Sequence, residues 1–138
     1  MKNLVILFFM LLSATSYASP LLNMKFHMGV GGDAPFIGGT LVNTGNEGVE
    51  QGYIIYSVSD KICAAGKVEI YHFDHLGGGE KLSFKIPVKD KLKGYKILSF
   101  GGIDHNGIPV DTSDETSLIL KKKVSEEKRI CSEEPENK

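Results

Sequence analysis

The sequence has almost no net charge to advertise a partner: sixteen Lys and Arg stand against seventeen Asp and Glu in 138 residues. Without Lys2 the balance is near −2, which gives neither a nucleic-acid footprint nor an anionic-membrane footprint. Apolar residues nowhere recur at helical spacing over three turns beyond the N-terminal region, which argues against a helical domain. Cysteine is scarce, with only Cys63 and Cys131. No Gly-x-Ser-x-Gly elbow is present, so nucleophilic hydrolysis has no support. The glycines of Gly77-Gly78-Gly79-Glu80-Lys81 lead into a strand pattern and not a helix. A phosphate loop is thereby excluded, because its amides would lack the helix N-terminus that stabilises anions. A turn is the simpler reading. No constellation calls for a cofactor, and the chain reads as non-enzymatic.

What is present begins with an export signal. Lys2 supplies a positive charge, Leu4 to Leu12 is an unbroken apolar run, and Ser16-Tyr17-Ala18 offers small residues at the −3 and −1 positions. Cleavage is expected after Ala18, since a cut one residue later would put Pro20 directly after the scissile bond. The apolar run is far too short to span a bilayer, which needs about twenty residues, so stable membrane insertion is not expected. A periplasmic or secreted location follows. In that oxidising setting the two cysteines are expected to form one disulfide, Cys63–Cys131, which would tether a polar tail. The organisation read from this is a signal peptide at 1–18, a β domain at 19–124 and a polar tail at 125–138.

Within the domain the signals are those of strands. Leu22, Met24, Phe26, Met28 and Val30 alternate with Asn23, Lys25, His27 and Gly29, a period of two over nine residues. This phase predicts an outward, solvated His27 beside Lys25. Phe36 to Thr44 continues the pattern and ends in the turn cluster Asn43-Thr44-Gly45-Asn46. Tyr53 to Ser59 follows, with Ile54, Tyr56 and Val58 on one face. Further strands are read at Val68 to Phe73, at Leu82 to Ile86, and at Tyr95 to Ile103. The Asn106-Gly107 pair signals a tight hairpin. A last strand is expected at Thr116 to Lys121, with Leu118 and Leu120 inward. About seven short strands with regular turns give an all-β fold, an antiparallel β-sandwich.

The stretch Ile37-x-Gly39-x-Leu41-x-Asn43-x-Gly45, then Val49, the Tyr53 to Val58 strand, Gly79-Glu80 and Leu82-x-Phe84 resembles the small exported immunoglobulin-like domains called FxLyD. The likeness covers about sixty residues. It departs at Cys63-Ala64-Ala65, where such domains often carry an Asp-Gly turn, and the C-terminal third has no counterpart. The resemblance implies an immunoglobulin-like sandwich that serves as a binding or scaffold module in an uncharacterised Gram-negative secreted family.

Two sets of side chains are candidates for function. His72, Asp74 and His75, with Asp104 and His105, offer imidazole and carboxylate ligands suited to zinc or copper, and both Asp-His pairs adjoin turns that could meet at one end of the sandwich. Their bland alternative is a set of solvated turn residues. Tyr53 and Tyr71 are expected on outward faces, where tyrosines commonly anchor protein interfaces. Tyr95 stands where a sandwich often places a tyrosine that bonds back to a loop. The functional expectation is an exported module that binds another protein of unknown identity, in one form an inhibitor or immunity protein. The alternative is a periplasmic metal-binding protein.

Overall fold

The structure is a computed structural model that describes residues 19–133, so the expected signal peptide lies outside the described residues. Among these residues seven strands form, at β1 (Leu21–Val30), β2 (Phe36–Asn43), β3 (Gln51–Ser59), β4 (Lys67–Phe73), β5 (Lys81–Pro87), β6 (Gly94–Ile103) and β7 (Asp111–Asp114). One helix, α1 (Ser117–Glu133), follows them. They build two sheets, one in the order β5-β2-β1-β7 and one in the order β4-β3-β6. The fold is the all-β sandwich that the alternation predicts. It departs from a purely antiparallel one at a single pair, since β7 runs parallel to β1 from Leu21↔Asp111 to Met24↔Asp114.

The alternating residues meet between the sheets. Leu22, Met24, Ile37, Leu41, Phe84 and Ile86 come from the four-stranded sheet, and Ile54, Tyr56 and Phe73 from the other. Val49 and Leu76 close one end through a backbone bridge. At about 1.5–3 kcal/mol for each fully buried aliphatic or phenyl side chain, this core supplies the main driving force for folding.

Strand β1 does not keep one phase. Its pairing with β2 shifts between Met24 and Phe26, so that Met24 faces Leu41 while Phe26 faces Thr40 and His27 faces Gly39. A bulge adds one residue and reverses every side chain beyond it. Leu22 and Met24 therefore enter the core, whereas Phe26 and Met28 are exposed and His27 turns inward. The expectation of an outward His27 is corrected by this bulge, which alternation alone does not reveal.

The expected strand at Thr116 to Lys121 is instead a turn residue, Thr116, followed by the first residues of helix α1. No residue of the helix is buried, and Leu118 and Ile119 are 76% and 77% exposed, so the inward placement of Leu118 is also corrected. With no fully buried side chain to anchor it, the helix draws on other ties. Arg129 pairs with Glu126 and Glu133 at i−3 and i+4, at 2.7 and 3.1 Å. Cys131 is bonded to Cys63, as the sequence predicts. The segment read as a tail after Val124 is thus helical as far as Glu133. Among the described residues no helix is long and apolar enough to cross a membrane.

Candidate functional site

Asn43 is the best-satisfied polar side chain of the interior. Its carbonyl oxygen accepts the N–H groups of Leu21 (3.2 Å) and Gly45 (3.1 Å), and its amide donates to the carbonyls of Glu47 (2.7 Å) and Leu76 (3.1 Å). It is fully buried. All four partners are backbone groups, and of these the Leu76 carbonyl also accepts the Val49 N–H, so the side chain completes the pairing of the end of the sandwich. Gly45 lets the chain pass close by, because a Cβ there would sit 2.3 Å from the Ser19 carbonyl oxygen. The turn at Gly77 to Glu80 docks on the same residue, with Gly79 N–H donating to the Asn43 carbonyl and Asn43 N–H to that of Glu80. The Asn-x-Gly and Gly-Glu turns noted in the sequence are therefore two halves of one contact.

The second polar centre is His27, which the bulge aims at the opposing sheet. Thr116 Oγ1 donates to Asp114 (2.6 Å), leaving its oxygen to accept from His27 Nε2 (3.2 Å). His27 Nδ1 then accepts from the Tyr95 hydroxyl at 2.9 Å. This direction of donors suits the neutral imidazole. Burial holds the His27 pKa below its ordinary value against the opposing pull of Asp114, and Lys123 lowers it further. Burial also raises the Tyr95 pKa. Gly29 permits the packing, since a Cβ would lie 2.6 Å from the Tyr95 ring. The tyrosine expected to bond back to a loop bonds instead to a strand of the facing sheet. The chain of groups links β1, β6 and the start of α1. Thr116 is buried, so this network is built for fastening and presents no open nucleophile.

The metal-ligand candidates divide. Asp104 and His105, in the tight turn after β6, lie with Glu47 so that one ligand atom of each falls within 4.8 Å of the others. His72, Asp74 and His75 do not join that group. His72 is exposed opposite Tyr53 on the outer face of the three-stranded sheet. His75 Nδ1 is 3.2 Å from the Glu50 carboxylate. Both Asp-His turns nonetheless flank one segment, since Val49 bridges Leu76 and Glu50 N–H donates to the Ile103 carbonyl. Asp104 is partly occupied in its turn, accepting the N–H groups of Asn106 (2.8 Å) and Ile108 (2.9 Å). These bonds, that from Ile108 first, hold its carboxyl below the usual range. Glu47 was not anticipated, because nothing local to it marks it as a ligand.

The tyrosines also divide. Tyr53 faces outward, its ring leaning over Gly101. Tyr71 lies directly opposite the buried Ile54, shares its inward face and packs 6.4 Å from the Phe84 ring, which corrects the expectation of an outward Tyr71. The outward set on β4 is Val68, Ile70 and His72. On its inward rim Glu69 accepts from Tyr56 (3.0 Å) and Lys67 (2.6 Å). Burial and this carboxylate push the Tyr56 hydroxyl up to about 12, while the bonds from Lys67 and Tyr56 hold Glu69 low. Comparison with protein-family models, curated proteins and solved structures finds no match for the chain.

Proposed function

We propose that the protein is an exported, non-enzymatic binding module, of immunoglobulin-like FxLyD character, that recognises another protein by accepting an extended segment along β4. The observation that carries this reading is the state of that edge. β4 pairs with β3 through seven residues without a bulge and has no proline, while Val68 and Ile70 beside it are 57% and 55% exposed. Edge strands are usually blunted by charge, proline or distortion. The two charges of β4, Lys67 and Glu69, lie on its inward rim and pair with each other at 2.6 Å, which leaves the outward face and the edge backbone as a template for strand addition. The main chain supplies affinity, and Val68, Ile70 and Tyr53 supply apolar contact for alternate side chains. Periplasmic or secreted localisation is supported by the Cys63–Cys131 disulfide, a bond kept in oxidising compartments. An inhibitor or immunity role is one form of this activity. The test is crosslinking and recovery from the periplasm with the parent chain and with Ile70→Lys. A partner recovered by the parent and lost with the variant is expected, and equal recovery by both, or none above background, overturns the reading.

A second reading, a periplasmic metal-binding protein, is favoured by the grouping of Glu47, Asp104 and His105. Calorimetric titration of untagged protein with zinc and copper tests it, and no heat at millimolar metal removes it.

A further inference from the structure

We propose that the outer face of the four-stranded sheet is a separate docking surface, for a protein segment carrying apolar side chains flanked by carboxylates. The bulge in β1 splits one apolar series in two, sending Leu22 and Met24 to the core and Phe26, Met28 and Val30 to the other face. There Phe26 lies opposite Thr40, Met28 opposite Gly38, and Val30 opposite Phe36. Phe26 is 53% exposed and Met28 43%. Adjacent large apolar side chains turned outward by the backbone itself mark a contact surface more than a scatter of exposed residues does.

The charges around them choose the partner. Strands β1, β2 and β5, which carry the patch, contain no aspartate or glutamate, and their cations are Lys25, Lys81 and Lys85. The sheet's own aspartates, Asp111 and Asp114, stand on β7 at the edge opposite β5. Lys25 is matched by Glu115, whereas Lys81 and Lys85 have no carboxylate within ion-pair distance among the described residues. Lys85 Nζ lies 4.3 Å from the centre of the Phe36 ring, which places a cation directly on the apolar patch. The complement of such a face is apolar and anionic. A second copy would set Lys81 and Lys85 against themselves. An anionic bilayer would gain only about 1 kcal/mol from each of two free lysines, and a sheet face offers no wedge to insert among the lipids.

The test uses ¹⁵N-labelled protein and two acetylated seven-residue peptides, one alternating glutamate with leucine and phenylalanine, the other its lysine counterpart. The acidic peptide is expected to shift the amides of Phe26, Met28, Gly38, Thr40 and Lys85, and the K81E/K85E variant to weaken that binding at least about tenfold. The same spectrum reports that the variant is folded. Equal shifts with the lysine peptide overturn the proposal. So do shifts confined to residues 67–73, an outcome that would leave the β4 reading standing. So does movement of these signals by phosphatidylglycerol vesicles or by self-association in the absence of any response to the acidic peptide.

Discussion

His27 Nδ1 and the Tyr95 hydroxyl lie 2.9 Å apart and join the two sheets through an imidazole that has to be neutral to accept the bond. Its folded pKa is depressed, chiefly by burial, so the unfolded chain binds a proton more readily than the folded one. Stability therefore rises with pH across this transition. The contribution is complete above about 6.5 and is lost as pH falls through the lowered folded value. Thermal melts of the parent chain and of His27→Gln, compared between pH 7.5 and pH 5, should show a pH-dependent fall in Tm that the variant lacks in part. Identical slopes would show that the imidazole does not titrate with folding.

Asn43→Ala should cost about 3–5 kcal/mol. It removes four hydrogen bonds at once and takes the side-chain partner from the backbone groups of Leu21, Gly45 and Glu47, each worth about 1–3 kcal/mol when left dry, while the Leu76 carbonyl keeps its bond from Val49. That is a large part of what a domain of this size possesses. Asn43→Asp should also destabilise at neutral pH, because a carboxylate would face the Glu47 and Leu76 carbonyls where an amide now donates. Urea unfolding measures both, and a cost below about 1 kcal/mol for the alanine variant would contradict the clasp described above.

Reduction of Cys63–Cys131, or Cys131→Ser, should release the helix before the sandwich. The bond closes a sequence separation of 68 residues, for which the chain-entropy account gives about 4 kcal/mol. No residue of helix α1 is fully buried, and an isolated helix of seventeen residues is marginal in water. Far-ultraviolet circular dichroism should therefore lose helical signal on reduction while the β signal persists. A helix that survives reduction unchanged would require a docking contact not seen here.

The two tyrosines should answer differently to truncation. Tyr71→Ala opens a gap beside Phe84 and Ile54 and should cost about 2–3 kcal/mol. Tyr53→Ala removes an outer-face contact and should cost about 1 kcal/mol or less. Equal costs in urea unfolding would mean that the two rings are not on opposite faces of their sheet.

Much of this architecture is legible in the residues, and the failures have definite causes. Ile54, Tyr56 and Val58 face the core as their alternation predicts, and the turns at Asn43 to Asn46 and Asp104 to Gly107 fall where asparagine and glycine place them. Alternation could not locate the bulge, because Leu22 to Val30 reads as one unbroken period of two while the backbone changes phase after Met24. Nor could it choose between Val68 with Ile70 and Tyr71 with Phe73, two apolar sets in opposite phase on one strand. The opposition of Tyr71 to Ile54 decides it. Leu118 and Leu120 suggested a strand, whereas the helix is set by a bond to Cys63 and by Arg129 with its two glutamates, ties without a hydrophobic period. Of the candidate ligands, Asp104 and His105 were legible, and Glu47 was not, since only tertiary pairing brings it alongside.

The clasp around Asn43 has a consequence for how the chain assembles. Its partners lie 22 residues upstream and 33 residues downstream, as well as in the turn that follows it. Until those distant segments arrive, a drying amide at this position has nothing to bond, and closing the end of the sandwich around it is uphill. The first strand and the Leu76 crossing are therefore coupled, so that misregistered or half-built intermediates of the four-stranded layer are penalised at one buried side chain.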